Sequence, residues 1–131
     1  MRPTLHQRWQ ACLFRADPAP VVPKRFNRHE EQGVLNAVLK VLSYHPNVAW
    51  CARFNTGGFK DARGQFVRFG FAGCSDILGQ MVDGRFLALE VKAAKGRLTD
   101  DQEFFIAKVR ANGGVSGVAR SIADALKIVE G

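Results

Sequence analysis

Three residues near the middle of the chain have types and spacings that could do chemistry: Asp76, Glu90 and Lys92. Glu90 and Lys92 lie two apart in the apolar run RFLALEVKA, and residues two apart on a strand project from the same face. Asp76 opens a second apolar run, and the two runs flank Asp83-Gly84, a dipeptide suited to a tight hairpin turn. If Ile77 to Val82 pairs antiparallel with Arg85 to Val91 through that turn, Asp76 comes to lie beside the end of the second strand. Two carboxylates and an ammonium then gather at one end of a sheet. Like charges buried together need compensation. A divalent cation supplies it, because Mg²⁺ takes one or two carboxylates together with water and phosphate oxygens. A cation there could polarise a phosphodiester and lower the pKa of a bound water. Lys92 could orient that water and neutralise charge developing on the phosphate. The competing reading is an ordinary exposed edge, with Glu90 and Lys92 solvated and Asp76 capping a turn.

The elements that must hold these residues are visible in outline. Val34, Leu35, Val38, Leu39 and Leu42 recur at helical spacing between His29 and about Ser43, and Pro46 and Asn47 stop that helix. VAWCARF, residues 48–54, has the β-branched and aromatic content of a strand. The glycine- and arginine-rich NTGGFKDARGQFVRFGFAG that follows predicts an irregular hairpin or loop. After Gly96, Thr99 as N-cap, Gln102 three residues on and Gly113 past the last turn mark a second helix. VSGVAR is a short strand, and Ser121 caps a terminal helix. The expected order is αβββαβα, an α/β domain with a mixed sheet flanked by helices, over residues 28–131. Residues 1–27 form a separate basic, proline-rich arm, in which LHQRWQACLF could make a short helix.

With 131 residues, 47% of them hydrophobic and 10% aromatic, the chain has room for one domain with a true core. No apolar run approaches the ~20 residues of a membrane span, and the N-terminus lacks a signal-peptide core. The expectation is a soluble, cytoplasmic protein. Cys12, Cys51 and Cys74 are odd in number and widely spaced, which points to free thiols rather than a disulfide framework or a zinc site. Nineteen basic residues against twelve acidic ones give a net charge of +7 and a pI near 9.8. That balance favours a polyanionic partner.

From Phe54 to Ser121 the chain resembles, in order and spacing, the VRR-Nuc (virus-type replication-repair nuclease) family of the PD-(D/E)XK nuclease superfamily. The matching residues are Asn55 and Gly57, GCSD ending at Asp76, GRFLALEVK with Glu90 and Lys92, GRLTDDQ ending at Gln102, NGG, and GVARS. Ser75 stands where the superfamily name has proline, and the arm lies outside the match. The resemblance implies a restriction-endonuclease-like fold and a bacterial or phage-encoded deoxyribonuclease dependent on Mg²⁺ or Mn²⁺. It implies Asp76 and Glu90 as metal ligands, the Val91 carbonyl as a further ligand, and Lys92 as the catalytic lysine. It also implies a glutamate of the first helix near the metal. Glu31 is favoured over Glu30, since it precedes Val34, Leu35 and Val38 by three, four and seven residues and so shares their side of the helix. Alternatively, both glutamates simply complement the helix N-terminus. Gln102, by the same resemblance, bonds the scissile phosphate or its attacking water. A capping box with Thr99 competes, and the two roles are expected to send the side chain in opposite directions.

Arg53, Asn55, Lys60, Arg63 and Arg68 surround the glycine-rich segment, and Lys95 and Arg97 follow Lys92; all are candidate DNA-backbone contacts, or simply solvated groups. Phe104 and Phe105 are expected in the core or at a dimer surface. Stand-alone members of the family resemble Holliday-junction resolvases. The leading expectation is therefore an endonuclease acting as a homodimer, whose two-fold axis places two sites on opposed strands of a junction. The alternatives are a flap or nicking nuclease within a larger repair or phage replication complex, and a non-catalytic basic DNA-binding module.

Overall fold

The computed structural model describes residues 28–131; the arm at residues 1–27, with its candidate helix, lies outside the described residues. In chain order the elements are α1 (Arg28–Ser43), β1 (Val48–Arg53), β2 (Gly57–Lys60), β3 (Phe66–Phe69), β4 (Ile77–Met81), β5 (Phe86–Val91), α2 (Asp100–Ala111), β6 (Val115–Ala119) and α3 (Ile122–Glu130). Four strands form a mixed sheet in the order β1-β4-β5-β6, antiparallel at the first two pairings and parallel at the last. A parallel pair needs a crossover, and α2 supplies it between β5 and β6.

The β4–β5 hairpin sets the register on which the site depends. Asp83 accepts hydrogen bonds from Arg85 N (3.1 Å) and Arg85 Nε (2.7 Å), and Gly84 takes φ +93°, a conformation glycine adopts without a steric cost. Ile77 then pairs with Leu89 and Leu78 with Ala88, which sets Asp76 opposite Glu90.

Alternation along β5 divides the core. Leu87, Leu89 and Val91 point to the face covered by α1 and α3, where they pack with Leu35, Val38 and Leu42. Ala88 points to the other face, against Phe105 and Val109 of α2. Glu90 shares the parity of Ala88 and so belongs to the α2 face. Full burial of a leucine such as Leu87 or Leu89 stabilises the fold by about 2 kcal/mol. Phe104 and Phe105 are both buried and belong to the core. At the far end of α1, His45 shares a hydrogen bond with Glu130 (2.9 Å), tying the first helix to the last.

Of the irregular hairpin or loop expected here, residues 57–69 form the hairpin, without the irregularity. They form a regular antiparallel hairpin, a two-stranded sheet separate from the main one, so the order is αβββββαβα. Asp61 closes its turn by accepting from the amides of Arg63 and Gln65 (both 2.9 Å). No helix among the described residues is long and apolar enough to cross a membrane.

One position in α1 is suboptimal. Gly33 is exposed in the helix, and a Cβ built on it would meet nothing within 4 Å. Gly33→Ala should therefore raise unfolding stability by about 0.5–1 kcal/mol, through the backbone entropy that glycine loses in a helix. A urea melt checks this, and an unchanged or lowered midpoint would contradict it.

Candidate active site

The site sits where β4 begins and β5 ends. Asp76 is half-buried, and its Oδ2 accepts a hydrogen bond from the Val91 amide (3.0 Å). The carboxylate is thus fixed to the strand that carries Glu90 and leads directly into Lys92. The segment leading to Asp76 is held from behind: Gly73 has φ +80°, and any Cβ there would collide with the backbone of Asp101 on α2. Glycine alone permits both that conformation and that approach.

Glu90 is 2% exposed, which excludes the solvated-edge reading. Its two oxygens are treated differently. Oε1 accepts from Gln102 Nε2 at 2.7 Å and lies 3.6 Å from Lys92 Nζ. Oε2 is buried with no hydrogen-bond partner. The Glu90 carboxyl is pushed up to about 8, chiefly by burial and then by the negative charge of Asp76, against which Lys92 pulls it down; the close approach of the Asp76 carboxylate and, after it, the charge of Glu31 add to the rise. A carboxyl so placed holds a proton near neutrality unless another cation takes the proton's place.

Gln102 makes the capping box that competed for it, and from the same side chain also reaches Glu90. Its Oε1 accepts from the Thr99 amide (2.9 Å) while Thr99 Oγ1 accepts from the Gln102 amide (3.2 Å), completing the capping box of α2. Its Nε2 meanwhile reaches Glu90. Cap and contact coexist because a primary amide offers an acceptor and a donor from one planar group.

The structure brings together Asp76, Glu90, Lys92 and Gln102, with Val91 contributing its amide to Asp76. Glu31, half-buried at the start of α1, is near enough for its charge to act on Glu90, whereas Glu30 is exposed. Among the described residues no three His, Cys, Asp or Glu side chains form a metal cage. An Mg²⁺-type site does not require one, since two carboxylate oxygens and water suffice. The orphaned Glu90 Oε2 beside the charge of Asp76 fits such a cation. Cys74 adjoins the pair, but burial, then Glu90 and Asp76, push its thiol up to about 11, so it offers no thiolate nucleophile.

The candidate DNA contacts are dispersed. Arg53, at the end of β1, donates to Gln32 of α1 (3.1 Å), and Asn55 is exposed just beyond. Lys60 and Arg68 lie on the β2–β3 hairpin and Arg63 in its turn, all exposed. Lys95 and Arg97 are exposed in the loop after β5.

Arg120 was not singled out from sequence. Its Nη1 donates to the carbonyls of Ala93 (2.6 Å) and Gly96 (2.7 Å), and its amide donates to Asp124 (2.9 Å). It thereby clamps the loop between Lys92 and the cap of α2. The carbonyls it clamps lie more than twenty residues away in sequence, so no local pattern marks that role.

A mixed sheet that ends in a carboxylate opposite a Glu-x-Lys strand, with helices on both faces, defines a nuclease of the PD-(D/E)XK type. The VRR-NUC domain model matches residues 27–123, and the chain belongs to that family. It is accordingly a nuclease domain, a hydrolase for which DNA is the implied substrate, and nucleases of this type characteristically use a divalent metal. No curated protein matches the chain.

Two outcomes follow from this geometry. A carboxyl raised from 4.5 to about 8 in the folded state binds more protons there than in the unfolded chain. Its stabilising contribution is complete below pH 4.5 and is lost as pH rises through about 8. In EDTA, stability should fall across that window with a slope of at most about 1.4 kcal/mol per pH unit relative to Glu90→Gln. Parallel profiles for the two proteins would contradict it. Separately, Gln102→Glu keeps the cap but removes the donor to Glu90, and should lose about 1–2 kcal/mol at neutral pH. Wild-type stability in that variant would sink the Glu90 contact.

Proposed function

We propose that the chain is a divalent-cation-dependent DNA endonuclease, working with Mg²⁺ or Mn²⁺, that acts as a homodimer on branched DNA. The observation that carries the reading is Glu90: a buried carboxylate with one oxygen held by Gln102 and Lys92 and the other without a partner. Asp76 and Glu90 would hold the cation, with the Val91 carbonyl and Glu31, directly or through water, completing its surroundings. Bound there, the cation supplies Lewis acidity to a phosphodiester and lowers the pKa of water.

The chain's own residues do the rest. The Val91 amide fixes Asp76, and Gln102 holds Glu90 in one rotamer, so neither carboxylate needs to reorganise when substrate arrives. Lys92, 14% exposed, keeps its ammonium beside Glu90 at the mouth of the pair, where it can bind the phosphate oxygens and offset the charge that grows on them. Arg53, Asn55, Lys60, Arg63, Arg68, Lys95 and Arg97 would follow the backbone of the DNA and contribute affinity without reading bases. The homodimer rests on symmetry: two equivalent sites related by a two-fold axis suit two opposed strands of a four-way junction.

The test is cleavage of a labelled four-way junction beside linear duplex, flap and single-stranded DNA, with Mg²⁺, Mn²⁺ or EDTA. Asp76→Asn and Glu90→Gln should each lower the cutting rate by at least about a thousandfold while changing DNA affinity little, since phosphate contacts elsewhere supply most of the binding. Lys92→Ala should lower kcat more than it weakens metal binding. Normal cutting by either carboxylate variant would remove the site from those residues. Paired symmetric cuts support the dimer on a junction; cuts confined to flaps or nicks replace it with a monomeric nuclease.

A further inference from the structure

The β2–β3 hairpin stands apart from the main sheet, and its register sorts its side chains. Residues directly opposite one another share a face. Phe59 pairs with Val67 and Phe69 with Gly57, so one face presents Phe59, Val67 and Phe69. Lys60 pairs with Phe66 and Arg68 with Gly58, so the other presents Lys60, Phe66 and Arg68. One face is apolar; the second is basic around a ring, with the Arg68 guanidinium 5.9 Å from the Phe66 centroid.

The three rings stay in solvent: Phe59 is 55% exposed, Phe66 56% and Phe69 45%. Glycines make room for them. A Cβ at Gly58 would run into the Phe66 ring, and one at Gly57 would press on Phe69. A cavity of about 300 Å³ opens here, lined by Gly58, Phe66, Arg68 and Phe69 and continuing to Ala72, four residues before Asp76. The base of the hairpin is anchored to the helix that carries Gln102, through Phe71 edge-on to Phe105 with centroids 5.0 Å apart.

Charge decides what these rings receive. Lys60, Arg63 and Arg68 against Asp61 leave the hairpin positive on a chain of net charge +7. A second copy would bring the same sign, whereas nucleic acid brings the opposite one. Exposed rings interleaved with cations suit unpaired nucleotides, whose bases stack on the rings while Lys and Arg hold the neighbouring phosphates. Bases inside an uninterrupted duplex present no free face. Resting on the nuclease reading above, we infer that the β2–β3 hairpin is a binding site for unpaired nucleotides, such as those a branched substrate exposes where its arms part.

The experiment uses the whole chain in EDTA, so that nothing is cut, and measures fluorescence anisotropy with three probes: a single strand, a blunt duplex, and a duplex with a single-stranded arm. Wild type should prefer the single strand and the armed duplex. Phe66→Ala, and the pair Phe59→Ala with Phe69→Ala, should each weaken those two by about tenfold and leave the blunt duplex within about threefold. Phe66→Tyr, which keeps the ring, should bind like wild type. Alanine variants that bind all three probes as wild type does, or lose all three equally, overturn the inference. Sedimentation of the same proteins covers the rival occupant: a wild-type dimer that the Phe59→Ala and Phe69→Ala pair dissociates would make the apolar face a subunit contact and overturn it too. Cleavage by wild type and Asp76→Asn, run separately with Mn²⁺, tests the nuclease reading on its own. Arm preference without cutting would fail that reading while supporting the hairpin site.

Discussion

Placing a carboxylate in the interior is costly, and Glu90 is in the interior with one oxygen unpaired. Around this residue the rest of the structure is arranged. Desolvation and the neighbouring charge of Asp76 both favour the protonated form, while Lys92 alone among the close charges opposes them. An apolar substitute would suit the metal-free fold better, which is the usual finding for buried ionic groups. A carboxylate kept at such a position makes physical sense when a cation completes it, and a phosphodiester-cleaving centre is where that cation has work to do.

Each supporting element contributes one constraint to that carboxylate. The Asp83-Gly84 turn sets the register that faces Asp76 with Glu90. The Val91 amide holds Asp76 to the neighbouring strand. The first turn of α2 delivers Gln102 to Glu90, and the cap that starts that helix uses the other end of the same amide. Gly73 lets the chain pass against α2 on its way to Asp76. Arg120, reaching across from the end of β6, fixes the loop that joins Lys92 to the cap. The contacts that position Glu90 and the Lys92 loop are also contacts of the fold, so a change at Gln102 or Arg120 disturbs the site and the packing together.

Much of this was legible in the sequence because it follows from short-range periodicity. The period of two on β5 set Glu90 and Lys92 on one face, and the turn dipeptide brought Asp76 alongside. The helical spacing of Val34, Leu35 and Val38 separated Glu31 from Glu30. What escaped depends on contacts distant in sequence or on chemistry finer than direction. The depth of Glu90 is set by what α2 lays over it, which strand alternation does not reveal. The cap made by Gln102 is legible in the Thr99 spacing, while its reach to Glu90 depends on the second end of the amide, which side-chain direction alone does not distinguish. The hairpin at β2–β3 was among the alternatives, but its regularity is hidden in the sequence because adjacent glycines blur its alternation and its rings lie on both faces with no core to mark either.

The most direct test of the central claim is to locate the cation. Crystals grown with Mn²⁺ and measured at an energy where manganese scatters anomalously should show a peak bound by Asp76 and by Glu90 Oε2, with ligand distances of about 2.2 Å, and the peak should vanish in Asp76→Asn. A well-occupied peak elsewhere, or none at these carboxylates under conditions in which the protein cuts DNA, would contradict the account.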